Sequence, residues 1–120
     1  MSDETPRLSV RIDLPNGTRF GPGKAALLRA IGETGSISGA AKSLCMSYPR
    51  AHGLVEDMNT QFGARLVEAF HGGSKRGGAR VSQAGEAILA RYDEITVQAA
   101  AATQDAVVRF VKAGTPDDET

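Results

Sequence analysis

The stretch that decides the fold reads Gly35-Ser-Ile-Ser-Gly-Ala-Ala-Lys-Ser-Leu-Cys-Met-Ser-Tyr48. Its apolar residues recur at the spacing i, i+3, i+4, i+7, which predicts a short amphipathic helix with Ser38 as its N-cap. Met46-Ser47 then predicts a tight turn. Ser47 is the expected cap of a second helix, and Pro49 fits its first turn because no intrahelical donor is needed there. The stretch therefore predicts two helices joined by a turn.

The downstream sequence extends this pair of helices into a larger motif. The second helix is predicted over 48–61, a short strand over 66–70, a flexible glycine-rich loop over 71–78 and a returning strand over 79–81. A long last helix is predicted over 83–111, capped by Ser82. The inward face of the second helix is expected to carry Ala51, Leu54, Val55, Met58 and Phe62.

The upstream sequence predicts a hairpin and one more helix. Apolar and polar residues alternate over 8–14, Pro15-Asn-Gly17 supplies a turn, and 18–20 can return as a second strand. Gly21-Pro-Gly-Lys24 precedes a helix expected over 23–34. The predicted fold is α+β and mainly helical: a winged helix-turn-helix with an N-terminal β-hairpin and a long C-terminal dimerisation helix.

Length and composition set the domain organisation. The 120 residues allow one domain with an extension. We expect a disordered N-terminus over 1–7, the winged helix-turn-helix over 8–82, the dimerisation helix over 83–112 and a disordered acidic tail over 113–120. No segment approaches the ~20 apolar residues of a membrane span, and the polar N-terminus is not a signal peptide, so a cytoplasmic protein is expected.

Some functional classes are disfavoured by the residue types present. The single cysteine, Cys45, excludes an internal disulfide and a multi-cysteine metal site, and we expect its thiol to be buried. His71 has no further ligand at metal spacing. Because no nucleophile with a plausible base is found, an enzyme is not expected, and neither is a cofactor.

Charge is unevenly distributed, although the formal net charge is zero. Residues 42–91 carry seven Lys or Arg and four acids, whereas residues 92–120 carry two Lys or Arg and six acids. A basic centre can face a polyanion such as DNA. The second helix of the pair would then lie in the major groove, with Arg50 as the best candidate for a bidentate contact to guanine. The predicted DNA contacts are Ser36, Lys42, Ser47, Tyr48, Pro49, Arg50, His52, Gly53, Lys75, Arg76 and Arg80.

The last helix carries an alanine-rich apolar seam at alternating steps of four and three residues, which is a weak coiled-coil pattern. Such a seam predicts pairing with a second copy of the chain. Together with the N-terminal strand, the predicted dimer interface comprises Val10, Ile12, Ile88, Tyr92, Ile95, Ala99, Ala102 and Ala106.

The motif over 35–48 resembles the helix-turn-helix of the ModE-type, molybdate-responsive transcriptional regulators. Val55-Glu-Asp-Met-Asn59, the glycine-rich segment over 72–82 and Gly21-Pro-Gly-Lys24 continue the similarity, and the LysR-type regulators share the core more distantly. The resemblance implies a sequence-specific regulator that dimerises through its N-terminal strand and last helix. It differs at Pro49, where the family usually has a basic residue, and at His52, where it has tryptophan.

The chain ends after its long helix, so we expect it to lack the molybdate-binding domain of full-length ModE-type regulators. Molybdate or tungstate binding is therefore not expected on this chain alone. The first hypothesis is a homodimeric regulator that binds double-stranded DNA. The alternatives are a winged-helix protein-interaction module without DNA binding and a stand-alone oxyanion-responsive regulator.

Overall fold

The computed structural model describes residues 6–72 and 75–116, with only the backbone described at 75 and 76. A first hairpin precedes three helices, a second hairpin follows them, and one long helix completes the chain. The elements are β1 (Ile12–Asp13), β2 (Arg19–Phe20), α1 (Pro22–Thr34), α2 (Ile37–Ser43), α3 (Tyr48–Gln61), β3 (Val67–Gly72), β4 (Lys75–Val81) and α4 (Gln83–Ala113). The winged helix-turn-helix predicted from the sequence is confirmed.

Helix α1 supplies the centre of the core. Leu27, Leu28 and Ile31 are fully buried because they share one face of the helix at the spacing of 3.6 residues per turn. Helix α3 and strand β3 close over this face with further buried side chains. At the end of the core nearest β1 and β2, the Phe20 ring meets the Tyr92 ring edge to face at 5.3 Å between centroids. The core thus joins α4 to the domain. The chief side chains from α3, from β3 and from the residue before β3 are Ala51, Val55, Met58, Leu66 and Val67.

The first strand, β1, is shorter than the strand predicted over 8–14. Only Ile12 and Asp13 pair, with Phe20 and Arg19 respectively. The turn between them holds Gly17 at a φ of 87°, a left-handed conformation that glycine adopts without strain. The carbonyl of Arg19 accepts from both Lys24 Nζ and Gln61 Nε2 at 2.7 Å. These two bonds tie the hairpin to α1 and to the end of α3.

Two sequence predictions in the helix-turn-helix are wrong. Ser36, not Ser38, caps α2, because Gly35 ends α1 at a φ of 79° and leaves Ser36 as the extended residue whose hydroxyl accepts from Gly39 N. Cys45 is exposed, not buried. Its φ of 56° reverses the chain after α2, so the neighbouring Leu44 and Met46 take the partly buried positions instead.

The second hairpin, called the wing below, extends further than predicted. The strands pair from Val67 with Val81 up to Gly72 with Lys75, so most of the loop predicted over 71–78 is strand. A register shift lies between Phe70 and Gly72. Residues 73–74 at the tip lie outside the described residues, as do 1–5 and 117–120 of the two predicted disordered ends, 1–7 and 113–120.

Candidate nucleic-acid interface

The N-terminal turn of α3 is fixed by a serine cap and a proline. Ser47 is extended, and its hydroxyl accepts from the Arg50 N–H at 3.2 Å. Pro49 lies in the first turn, where its missing N–H leaves no bond unmade. The cap and the buried Ala51 hold one side of this turn against the domain. The opposite side is left exposed, and it carries Tyr48, Pro49, Arg50, His52 and Gly53.

Arg50 is the cation at the centre of this exposed side. Within residues 6–72 and 75–116, its guanidinium makes no hydrogen bond or ion pair, and its backbone N–H is used by the Ser47 cap. A planar guanidinium presents donors in a fork that matches two adjacent acceptors, such as O6 and N7 of guanine. Arg50 is therefore an exposed cation that no described residue engages, and its contact with DNA stays a prediction.

Tyr48, His52 and Glu56 form a column along α3 at intervals of four residues. The Tyr48 and His52 rings lie 5.8 Å apart with a tilt of 36° between their planes. His52 Nε2 lies 3.7 Å from a carboxylate oxygen of Glu56. At this distance the two groups are close but not hydrogen-bonded. The column is polar and solvent-facing, so it can take part in a contact beside Arg50.

The wing is attached to the helix-turn-helix at two points. The Ala79 N–H donates to the Gly35 carbonyl at 2.9 Å, which joins β4 to the turn between α1 and α2. Asn59 of α3 makes side-chain hydrogen bonds to Leu66 and Val67 at the start of β3. The wing consequently has a defined position beside α3.

The three predicted cations of the wing, and Lys42 of α2, have different surroundings. Arg80 is paired across the strands with Glu68 at 3.2 Å, and its guanidinium lies 5.8 Å from the centre of the Phe70 ring. Lys75 and Arg76 belong to β4 near the tip, and the structure describes their backbone only. Lys42, at the end of α2, is exposed and makes no ion pair with any described residue. DNA contact by all four residues stays a prediction.

Residues of the predicted dimer seam occupy two different environments. Tyr92 is buried in the core of its own chain, where its hydroxyl donates to the Val10 carbonyl at 2.7 Å. Ile12 and Ile88 also pack against that core. Farther along α4, Ile95 is 42% exposed. Ala102 and Ala106 are exposed as well, and Ala99 is half-buried. The part of the seam that is available to another molecule is therefore its C-terminal half.

Within the described residues, no group of three or more His, Cys, Asp or Glu side chains could hold a metal ion. The helices of those same ranges are too short or too polar to cross a bilayer.

Residues 24–86 match the bacterial regulatory helix-turn-helix proteins of the lysR family. The chain belongs to this family. The matched segment begins in α1 and ends in the first turn of α4, so it contains the helix-turn-helix and the wing described above. The family is a regulatory one, as the resemblance of the 35–48 motif implies.

Curated relatives agree with this assignment. The chain is 46% identical over 79 residues to the molybdenum-pterin-binding protein MopB of Rhodobacter capsulatus. This alignment covers 66% of the chain and 29% of MopB. It is 43% identical over 72 residues to the transcriptional regulator ModE of Yersinia pestis, covering 60% of the chain and 27% of the relative. The chain thus spans about a third or less of the length of these relatives.

A solved structure supports the fold. Full-length LysG of Corynebacterium glutamicum, a LysR-type regulator with bound effector Arg, superimposes with a TM-score of 0.53 at 22% identity. The match covers 78% of this chain and 30% of LysG. At this identity the similarity concerns the fold.

Proposed function

We propose that the chain is a sequence-specific, DNA-binding transcriptional regulator that acts as a homodimer. The observation that carries the proposal is the exposed N-terminal turn of α3, where the Arg50 guanidinium pairs with no described residue and Tyr48 shares a groove with the wing. B-DNA admits one α-helix in its major groove, and side chains at the start of that helix reach the base edges.

In this proposal, Arg50 contacts guanine and Tyr48 contacts a phosphate or a thymine methyl. Gly53 has no atom within 4 Å of the position that a Cβ would occupy, so the α3 backbone can approach the DNA closely there. Lys42 and Ser36 lie near the sugar–phosphate backbone, and the wing cations neutralise further phosphates. Such phosphate contacts position the protein, whereas contacts to base edges specify sequence.

Helix α4 supports the homodimer. It has 31 residues, about 46 Å at a rise of 1.5 Å per residue, and most of its C-terminal half projects beyond the core. Apolar side chains remain exposed along this half, including Val108, Phe110 and Val111, and Ile95 is exposed shortly before it. Pairing with the same helix of a second copy would bury these side chains. The two α3 helices of such a dimer could then enter successive major grooves on one side of the DNA.

The relatives suggest the regulated process. MopB is named a molybdenum-pterin-binding protein, and this chain is 46% identical to it over 79 residues. We therefore propose a link to molybdate metabolism through the genes that the regulator controls.

The alternative is a winged helix that binds a protein instead of DNA. Two observations favour it: the net charge is zero, and Arg80 of the wing is paired with Glu68. Electrostatic attraction to phosphates supplies most non-specific DNA affinity, so a chain without it would bind DNA weakly at any sequence.

Selection of duplexes from a random-sequence pool at low salt, followed by footprinting, separates the two functions. Enrichment of one sequence that the chain protects is the expected result. Failure to enrich or protect any duplex would favour the protein-interaction module. The Arg50→Ala variant should then lose about 1–3 kcal/mol on the selected duplex and far less on a mixed-sequence duplex.

The matched control for Arg50 is Arg91→Ala. Arg91 is an exposed arginine of α4 that pairs with Glu94 at 3.0 Å and lies on a different element from the reading helix. We expect its removal to leave both affinities unchanged. Equal losses on the selected and mixed duplexes in Arg50→Ala would refute the base-reading role of Arg50.

A further inference from the structure

A groove of about 220 Å³ runs between the start of α3 and the wing. One wall is formed by the cap and first turn of α2 and by the first residue of α3, and the other wall by the middle of β3 and β4. Its chief lining residues are Ser36, Ser38, Tyr48, Phe70, His71 and Gly78. Ser38, Phe70 and His71 have no role in the interface described so far.

We propose that this groove holds the sugar–phosphate strand that separates the major groove from the neighbouring minor groove, and that Ser38, Phe70 and His71 contact this strand. The inference rests on the proposed function. If α3 lies in the major groove and the wing reaches the adjacent minor groove, the strand between the two grooves has to cross the space between α3 and the wing. The groove occupies that space.

The polar side chains of the groove suit a phosphate. The Ser36 hydroxyl accepts from Gly39 N at 2.8 Å, and this bond leaves its own hydrogen free to donate. Ser38 is exposed and makes no side-chain hydrogen bond with any residue in the described ranges. His71 lies exposed on the opposite wall, where a ring N–H can donate. Hydroxyl and imidazole donors on both walls can therefore contact successive phosphate oxygens.

Phe70 gives the groove an apolar contact. Its ring is 45% exposed, yet it has a fixed place, since a Cβ at Gly78 would lie only 2.9 Å from Phe70 Cζ. The Arg80 guanidinium lies over the same ring, at 5.8 Å from its centre. A ring fixed beside the donors can pack against deoxyribose, which every nucleotide presents in the same form. We therefore expect its contribution to be independent of base sequence.

The experiment uses the full chain, a duplex that the wild type selects from a random pool, and a mixed-sequence duplex. Ser38→Ala and His71→Ala should each weaken binding to both duplexes about tenfold, because each removes a hydrogen bond to a charged group. Phe70→Ala should weaken both about threefold without changing the salt dependence, and Phe70→Leu should restore most of the loss. The enriched base sequence should stay the same in every variant.

Neutral methylphosphonate groups, placed one at a time in the selected duplex, test the contact directly. A methylphosphonate that weakens wild-type binding should have a much smaller effect on Ser38→Ala or His71→Ala, because the variant has already lost that contact. Ser9→Ala, an exposed serine of the N-terminal segment outside this groove, is the control that should behave as wild type. Thermal unfolding of each variant separates loss of binding from loss of folding.

The two proposals fail in different ways. If the wild type selects a duplex but the folded groove variants bind it with wild-type affinity and wild-type methylphosphonate effects, the groove does not hold the strand and the DNA-binding function stands. Losses confined to the selected duplex would also overturn the groove proposal, since they would indicate base reading. If the wild type selects and protects no duplex, both proposals are wrong.

Discussion

The side-chain amide of Asn59 is hydrogen-bonded to both backbone polar groups of Val67. Its Oδ1 accepts from the Val67 N–H at 2.9 Å, and its Nδ2 donates to the Val67 carbonyl at 3.1 Å. The same Oδ1 accepts from the Leu66 N–H at 2.8 Å. Leu66 and Val67 are buried, so these backbone groups have little access to water. One side chain of α3 therefore fixes the point where the wing begins.

Replacing Asn59 should destabilise the whole domain. Asn59→Ala leaves two N–H donors and a carbonyl of buried residues without partners, and we expect a loss of about 2–4 kcal/mol in the free energy of unfolding. Asn59→Asp keeps the two acceptor bonds but places a carboxylate oxygen against the Val67 carbonyl, so it should also be destabilised. Urea unfolding followed by circular dichroism measures both.

Thr60→Ala is the neighbouring control. The Thr60 side chain is exposed, and among the described residues its hydroxyl bonds to the Asp57 carbonyl within α3, so its removal should change stability by no more than about 0.5 kcal/mol. Equal losses in Asn59→Ala and Thr60→Ala would mean that the Asn59 hydrogen bonds to Leu66 and Val67 contribute nothing to stability beyond helix propensity.

The helices of the fold can be predicted because their signals are local. Ser47 and Ser82 are the caps that the sequence predicts, and each accepts from the backbone N–H three residues later. The cap of α2 is misplaced to Ser38 because that choice depends on where α1 ends. The left-handed Gly35 ends it, one residue before Ser36. Local chemistry suits both serines, and only the path of the preceding helix distinguishes them.

The wing and the seam depend on contacts between distant residues, which the sequence does not display. Gly77 and Gly78 indicate a loop, but they lie in β4, and glycine is needed there because a Cβ would meet Phe70 or Gly35 at 2.8–2.9 Å. Tyr92 fits the periodicity of the seam. In the structure, however, it is buried in the core of its own chain, where it packs against Phe20 and donates to the Val10 carbonyl. Phe70 carries no local signal of a surface role, since a lone aromatic residue in a strand is an ordinary core residue until its exposure is known.

Gly85 should tolerate no side chain, although it lies in a helix. A Cβ there would lie 2.5 Å from the Leu66 carbonyl oxygen and 2.7 Å from Val81 Cγ1, so α4 would have to move away from the wing. We expect Gly85→Ala to lose about 3 kcal/mol, at the upper end of overpacking effects, despite the better helix propensity of alanine. Chemical denaturation is the measurement. A Gly85→Ala protein as stable as wild type would contradict the close approach of α4 to β3.

Stability above neutral pH should depend on Tyr92. Burial raises the pKa of Tyr92 above its usual value of 10.0, and the nearby Asp93 carboxylate raises it further. The phenol therefore stays protonated in the folded chain at a pH where it ionises in the unfolded chain. Its contribution to stability is complete below the unfolded pKa and is lost as the pH rises from there through the folded pKa.

Tyr92→Phe tests this pH dependence. The variant should lose about 1 kcal/mol at pH 8, because the hydrogen bond to the Val10 carbonyl is removed, and its stability should fall less steeply than that of the wild type above pH 10. Tyr48→Phe, at the half-exposed tyrosine of α3, is the matched control. Urea unfolding at several pH values gives the comparison, and parallel curves for wild type and Tyr92→Phe would exclude a contribution from Tyr92 ionisation.

Gly53→Ala should separate stability from DNA binding. Gly53 lies inside α3 with no atom within 4 Å of the place where a Cβ would stand, so alanine should stabilise the helix by about 0.5–1 kcal/mol. If the α3 backbone lies against the DNA there, the added methyl group must push the helix outward. We expect about tenfold weaker binding to the selected duplex, equivalent to about 1.4 kcal/mol, alongside a higher melting temperature.

Gly63→Ala provides the comparison for Gly53→Ala. Gly63 follows the end of α3, and a Cβ there also meets no atom within 4 Å, but it lies at the opposite end of the helix from Arg50. Its substitution should leave DNA affinity unchanged. Opposite changes in stability and affinity at Gly53 alone would place the middle of α3 against the DNA, because a purely structural effect would move both quantities in the same direction. Wild-type affinity in Gly53→Ala would mean that the helix meets the DNA only through its first turn.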